Sequence, residues 1–275
     1  MAIQERSAVS SAAANGKHGH SLISDEKFHQ LYTLALDCQI AAQDGMSALS
    51  GQEAALAAVS ADLRPEDTLL SEHAWPVIAS TGVSNSSEGH AHPQPIVSIA
   101  ERVVDALSAA VAHRMRRNQR VTVLLFPDKW GGDVLREARA VASAAKLPII
   151  FVERADDGAR TTRRAKAENG SAAGDLISIP VDAQDVIAMY RVAHESIARA
   201  RHGSGPTRIV CLSPSAAADR GSRIGQSNAV ANLEKWLVAR GLPVEQWRRD
   251  ILAASASRNV TEQEDGRETI PQSAA

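Results

Sequence analysis

An α/β chain with a mostly parallel sheet and helices on both faces is predicted by two β-α-β units and by the character of the strands in the first. That unit spans residues 121–156, VTVLLFPDKWGGDVLREARAVASAAKLPIIFVERAD. An apolar run (121–126) passes through a turn containing Pro and Gly and an alanine-rich helical stretch to a second apolar run (149–152). Both runs are apolar without alternation, as strands are when helices bury both faces of a parallel sheet. The second unit, LISIPVDAQDVIAMYRVAHESIARARHGSGPTRIVCL, has strands over 177–181 and 207–212. Its helix face is Val186, Ile187, Met189, Tyr190, Ala193 and Ile197, Asp182 is placed to cap it, and Gly203 and Gly205 end it.

The remaining elements follow in chain order. Residues 1–23 are small and polar and read as a flexible arm, since they bury too little apolar surface to offset the entropy of ordering. A helix starts after Ser24, where a cap and the acids Asp25 and Glu26 suit the helix dipole. It carries Leu31, Leu34, Ala35, Cys38 and Ala42 at helical spacing. A second helix over about 52–63 stops before Pro65. Residues 68–95 are irregular, and the pair His90 and His92 there lacks carboxylates or thiolates at a matching spacing, so it reads as a solvated loop. A long amphipathic helix over about 96–115 follows. Arg114, Arg116 and Arg117 at its end read as a solvated basic helix terminus in preference to a phosphate clamp. After Asp156 comes a polar, basic surface loop. Residues 213–227 are loop, and helices at about 228–240 and 244–254 flank Gly241-Leu242-Pro243. The organisation is one α/β domain over 24–255, with a disordered tail over 256–275.

A chain of 275 residues is long enough for one large domain with a substantial core. A net charge of -2 gives no electrostatic reason to expect nucleic acid or an anionic membrane as partner. Cys38 and Cys211 are far apart and fit neither a disulfide framework nor a metal-ligand spacing, so both read as buried thiols. There is no apolar run of the ~18 residues that a membrane span needs. The first two dozen residues lack the apolar core of a secretion signal, which makes the cytoplasm the expected location.

Open α/β sheets bind ligands beyond the carboxyl ends of their strands, a position held here by the loop of Pro127, Asp128, Lys129, Trp130, Gly131 and Gly132. A dinucleotide fingerprint, a P-loop and a G-x-S-x-G elbow are all absent.

Four segments in order over about residues 26–255 resemble the alpha subunit of the thiamine-diphosphate-dependent first component of the pyruvate and branched-chain 2-oxoacid dehydrogenase complexes. SALSGQEAALAAVSADLRPEDTLL resembles that family's GQEA helix and the turn after it, and KLPIIFVERAD resembles its KLP-strand. IPVDAQDVIAMYRVAHESIARARHGSGPTRIVCL resembles its VDG-initiated strand-helix-strand, and LEKWLVARGL its closing helix.

The resemblance implies a thiamine-diphosphate-binding-like fold and oxidative decarboxylation of a 2-oxo acid. It also implies a beta-type partner chain in a heterotetramer, and thiamine diphosphate held through Mg²⁺. By the resemblance the ion is bound by Asp128 and Asp156, both able to offer the hard oxygens Mg²⁺ requires. Asp128, Lys129 and Gly131 are assigned to the cofactor, with Lys129 as a point charge for a phosphate. His73 is the retained acid/base histidine. The sequence departs from the family at Pro127-Asp128-Lys129, where the family has Gly-Asp-Gly, and at Ser71-Glu72, where it has Tyr-Arg. Ser213 to Ala218 replace a loop that carries an active-site His in the family. These departures frame an alternative, a catalytically inactive homologue that acts as an interaction or regulatory subunit.

Overall fold

The structure, a computed structural model, describes residues 23–43, 51–71, 84–85, 99–127, 133–155, 176–212 and 228–268. The arm, the His90/His92 stretch and the loop after Asp156 lie outside them.

The described chain runs α1 (Asp25–Gln43), α2 (Glu53–Ser60), β1 (Thr68–Leu70), β2 (Ser84–Asn85), α3 (Ile99–Arg116), β3 (Thr122–Pro127) and α4 (Asp133–Ala144). It continues through β4 (Ile149–Ala155), β5 (Ile177–Asp182), α5 (Val186–Arg201), β6 (Thr207–Leu212), α6 (Ala229–Ala239) and α7 (Val244–Glu268). The strands form one sheet in the order β2-β1-β3-β4-β6-β5. Each neighbouring pair is parallel. The expected parallel α/β architecture is therefore present.

Alternation along β3 and β4 divides the core in two. Val123, Leu125, Ile150 and Val152 face a layer built from α1, α2, α5, α6 and α7. Leu124, Phe126, Ile149 and Phe151 face α3 and α4 through Val103, Ala106, Ala110, Leu135, Ala138 and Ala142. Both strands are largely apolar because both their faces are buried.

The helix ends follow from local chemistry. Ser24 Oγ accepts the Lys27 N–H at 3.2 Å and starts α1. Gly203 (φ 76°) closes α5 in a Schellman turn, with Ser204 N–H donating to Arg199 O and Gly203 N–H to Ala200 O. The cap of α5 is Asp185, whose side chain accepts the Ala188 N–H. Asp182, expected in that role, instead accepts the Gln184 N–H at 2.8 Å, an Asx turn one step earlier.

Three further expectations are corrected. The stretch from residue 68 contains β1 and β2, too short to show periodicity and defined only by pairing across the sheet. Helix α2 ends at Ser60, short of residue 63. Helix α7 continues to Glu268, into the segment read as a tail, although Asn259, Val260, Thr261, Asp265 and Gly266 there are weak helix formers. Among the described residues no helix is long and apolar enough to cross a membrane.

Candidate active site at the carboxyl edge

The strand order reverses between β1 and β3, since the chain goes outward from β1 to β2 and the other way from β3 to β4. In open parallel sheets such a reversal opens a crevice at the carboxyl ends, because the connections on either side leave in opposite directions. Here β1 ends at Leu70, paired with Leu124, while β3 runs on to Pro127 beside Arg154 of β4. The last residues of β3 thus run past the pairing with β1 at the switch point. Pro127 ends the strand without an N–H to donate.

The surroundings of the crevice are held by buried charge. Arg102 of α3 donates to Ser71 O at 2.6 Å, pinning the backbone directly after β1. Glu153, 1% exposed on β4, accepts from Arg208 Nε of β6 at 2.7 Å, and Arg208 is fully buried. Arg139 of α4 brings a second guanidinium to 3.9 Å from the same carboxylate. At the opposite end of the sheet Asp67, also fully buried, accepts the N–H of Val121 at 2.9 Å and that of Arg64 at 2.8 Å. Its second oxygen also accepts from Arg201. This hub fixes the amino end of β3, the strand that delivers the crevice loop.

Sequence reasoning missed Arg102, the Glu153–Arg208 pair and Asp67. The available signal was a charged residue inside each of two apolar strands, IIFVERA and TRIVCL, since a charge in a doubly covered sheet requires a partner.

His73, Asp128, Lys129, Gly131 and Asp156 all lie outside the described residues. Their chain positions are nevertheless bounded. Asp128 directly follows Pro127, the last residue of β3, and Asp156 directly follows Ala155, the last residue of β4. His73 follows Ser71 by two positions, just past β1. Among the described residues no cluster of three or more His, Cys, Asp or Glu could hold a metal ion. The hard oxygen donors on adjacent strand ends, Asp128 and Asp156, suit Mg²⁺ in their chemistry. A cysteine nucleophile does not fit: burial first and the Glu153 charge second push the Cys211 thiol up to about 12.

Comparison with known proteins adds to this picture. The family model "Dehydrogenase E1 component" matches residues 80–213. The chain is 28% identical over 114 residues to the alpha subunit of acetoin:2,6-dichlorophenolindophenol oxidoreductase of Bacillus subtilis (39% of this chain, 34% of that one). It is 33% identical over 113 residues to the alpha subunit of the pyruvate dehydrogenase E1 component of Acholeplasma laidlawii (38% and 32%). It is 30% identical over 159 residues to the alpha subunit of 3-methyl-2-oxobutanoate dehydrogenase of Mycobacterium tuberculosis (54% and 42%). These matches span about a third to two fifths of the relatives' lengths. Among solved structures, a transketolase of Pichia stipitis aligns with a TM-score of 0.42 at 14% identity, covering 85% of this chain and 46% of that one. In sequence, the chain is similar to the alpha subunits of the 2-oxoacid dehydrogenase E1 components, as the four segments read from it implied.

Proposed function

We propose that the chain is an alpha-type subunit of a cytoplasmic 2-oxoacid dehydrogenase, acting in the thiamine-diphosphate-dependent oxidative decarboxylation of a 2-oxo acid such as pyruvate or a branched-chain acid. The observation that carries this reading is the coincidence of two independent lines. The segments that resemble the family map onto α2, β4, β5-α5-β6 and α6. The loops that carry Asp128 and Asp156 leave neighbouring strands, the first of them at the switch point of that same sheet.

In this reading Asp128 and Asp156 would hold Mg²⁺ through their carboxylate oxygens, and the ion would supply positive charge for the diphosphate. Lys129 adds a positive charge towards a phosphate, and Gly131 leaves room for close backbone approach. When bound, the thiazolium ring supplies a stabilised carbanion for attack on the 2-oxo group and an electron sink for the decarboxylation. His73 serves as a proton donor and acceptor at the reacting oxygen. Arg102 holds the strand end from which His73 follows. Water exclusion falls to a beta-type chain that covers the carboxyl edge at the switch point.

The test is calorimetric titration of thiamine diphosphate with Mg²⁺ into the assembled complex of this chain and its partner. Saturable binding that Asp128→Ala weakens at least a hundredfold, with assembly unchanged, is the expected result. Assembly without binding would overturn the proposal and leave a chain that has kept an interface and lost its chemistry.

A further inference from the structure

The sequence reads Arg114, Arg116 and Arg117 as a solvated helix end. All three are exposed in the structure, and the fold brings residues of two other stretches of chain beside Arg114 and Arg117. At the amino edge of the sheet, opposite the candidate active site, the carboxyl ends of α3, α4 and α5 converge on a cavity of about 200 Å³. Its lining includes Arg114, Arg117, Arg120, Lys146, Arg201 and His113, drawn from three separate stretches of chain.

Basic residues at helix ends offset the partial negative charge there, about half a unit per helix. That accounts for only part of what is present. Five permanently charged or lysyl side chains line one small cavity, with three helix ends and one carboxylate, Asp67, set against them. Asp67 is already engaged by Arg201. Arg114, Arg117, Arg120 and Lys146 make no ion pair with a carboxylate among the described residues.

Arg114 lies against the turn that ends α5, its Nη1 3.4 Å from where a Cβ on Gly203 would stand. Arg117 (φ 49°) and Lys146 (φ 46°) occupy left-handed positions that favour glycine, so cationic side chains are placed where they carry a conformational cost.

A second observation points to a ligand. His113 is 7% exposed and lines the cavity. Its Nε2 lies 3.2 Å from Thr68 Oγ1, and its buried Nδ1 has no hydrogen-bond partner. Arg201 Nε, in the same wall, is likewise buried without one. Buried nitrogens are rarely left so, and an oxyanion seated among these cations is the partner with matching chemistry. The volume is below the ~300–1,000 Å³ of pockets that enclose drug-sized ligands, which selects a phosphoryl group with few attached atoms over a nucleotide.

We propose that this cavity binds a phosphate dianion, either free inorganic phosphate or the phosphoryl group of a small phosphate ester. Bound there, the dianion would tie the ends of α3, α4 and α5 together.

The test is thermal unfolding and calorimetric titration of the full chain with sodium phosphate, and in parallel with glycerol phosphate, against sodium chloride at equal ionic strength. A saturable rise in Tm with phosphate that chloride does not reproduce is expected. Inorganic phosphate and the ester acting alike would assign the site to the phosphoryl group itself, and a tighter ester would assign it to phosphorylated small molecules.

The double variant Arg117→Gly/Lys146→Gly removes two charges while relieving both left-handed positions. It should keep or raise the Tm without phosphate and weaken phosphate binding at least tenfold. Arg120→Gln should weaken binding in the same sense. Asp128→Ala, at the far edge, should leave it unchanged, which separates this site from the proposed cofactor site. No saturable effect of phosphate, or an undiminished effect in the double variant, would overturn the proposal.

Discussion

Replacing Asp67 by alanine removes the hub that fixes the start of β3. Three acceptor contacts disappear together: those to the N–H groups of Val121 and Arg64 and to the Arg201 guanidinium. Their costs differ. The Arg64 N–H is in an exposed turn and can be taken over by water. Val121 is fully buried, so its N–H is stranded at about 1–3 kcal/mol. The Arg201 side chain is 12% exposed and loses its buried counter-charge, keeping only a 3.2 Å contact to Asp62 O.

Breaking a buried pair by deleting one partner costs about 3–5 kcal/mol, and that range is the expected total. For a domain of this size it corresponds to a fall in Tm of roughly 6–20 °C. The assay is unfolding followed by circular dichroism in guanidinium and by heating. Asp133→Ala is the control, since it removes a carboxylate that is 79% exposed and whose partner Arg136 is 65% exposed. The control should cost no more than about 1 kcal/mol. An Asp67→Ala protein within about 1 kcal/mol of wild type would refute the reasoning, because Val121 N–H would then have another partner available.

Two further outcomes are expected. Glu153→Gln keeps the side-chain volume but removes the buried negative charge to which Arg208 Nε donates at 2.7 Å, and should cost about 3–5 kcal/mol by thermal denaturation. A cost below about 1 kcal/mol would show that the pair is not desolvated. Burial raises the Asp62 carboxyl, but hydrogen bonds from His194 and Lys27 outweigh it and hold the group below the usual carboxylate range. A depressed folded value means that stability is present above the unfolded pKa of about 3.9 and is lost as pH falls through the folded value. The Tm difference between wild type and Asp62→Asn should therefore shrink on acidification below about pH 4, and a difference that grows there would contradict the assignment.

How much was legible in the sequence depends on how local the determining interactions are. Strands β3, β4 and β6 were readable because burial on both faces leaves largely apolar runs, and Thr207–Leu212 was placed to the residue, while the edge strand β5 was read from its Ile and Val content although its burial alternates. Helix α5 was readable from one stripe, Val186 to Ile197, all of it buried. Strands β1 and β2 were not readable, since two or three residues carry no period and their pairing with β3 comes from the fold. The cap at Asp185 was displaced to Asp182 because two aspartates three positions apart are equivalent until the turn is formed. The loop that carries Asp128, Lys129 and Gly131 was placed by the β-α-β pattern, while His73, Asp156 and the role of each residue came from resemblance. What holds its frame, Arg201 with Asp67 and Arg208 with Glu153, joins residues far apart in the chain and leaves no local signal.

The central claim is most directly tested by native mass spectrometry of the protein purified gently from its own cells, reading partner mass and bound small molecules together. A complex with a chain of beta-subunit size that carries thiamine diphosphate and Mg²⁺ is the predicted result. The same complex free of thiamine diphosphate and Mg²⁺, or the chain alone, would contradict it.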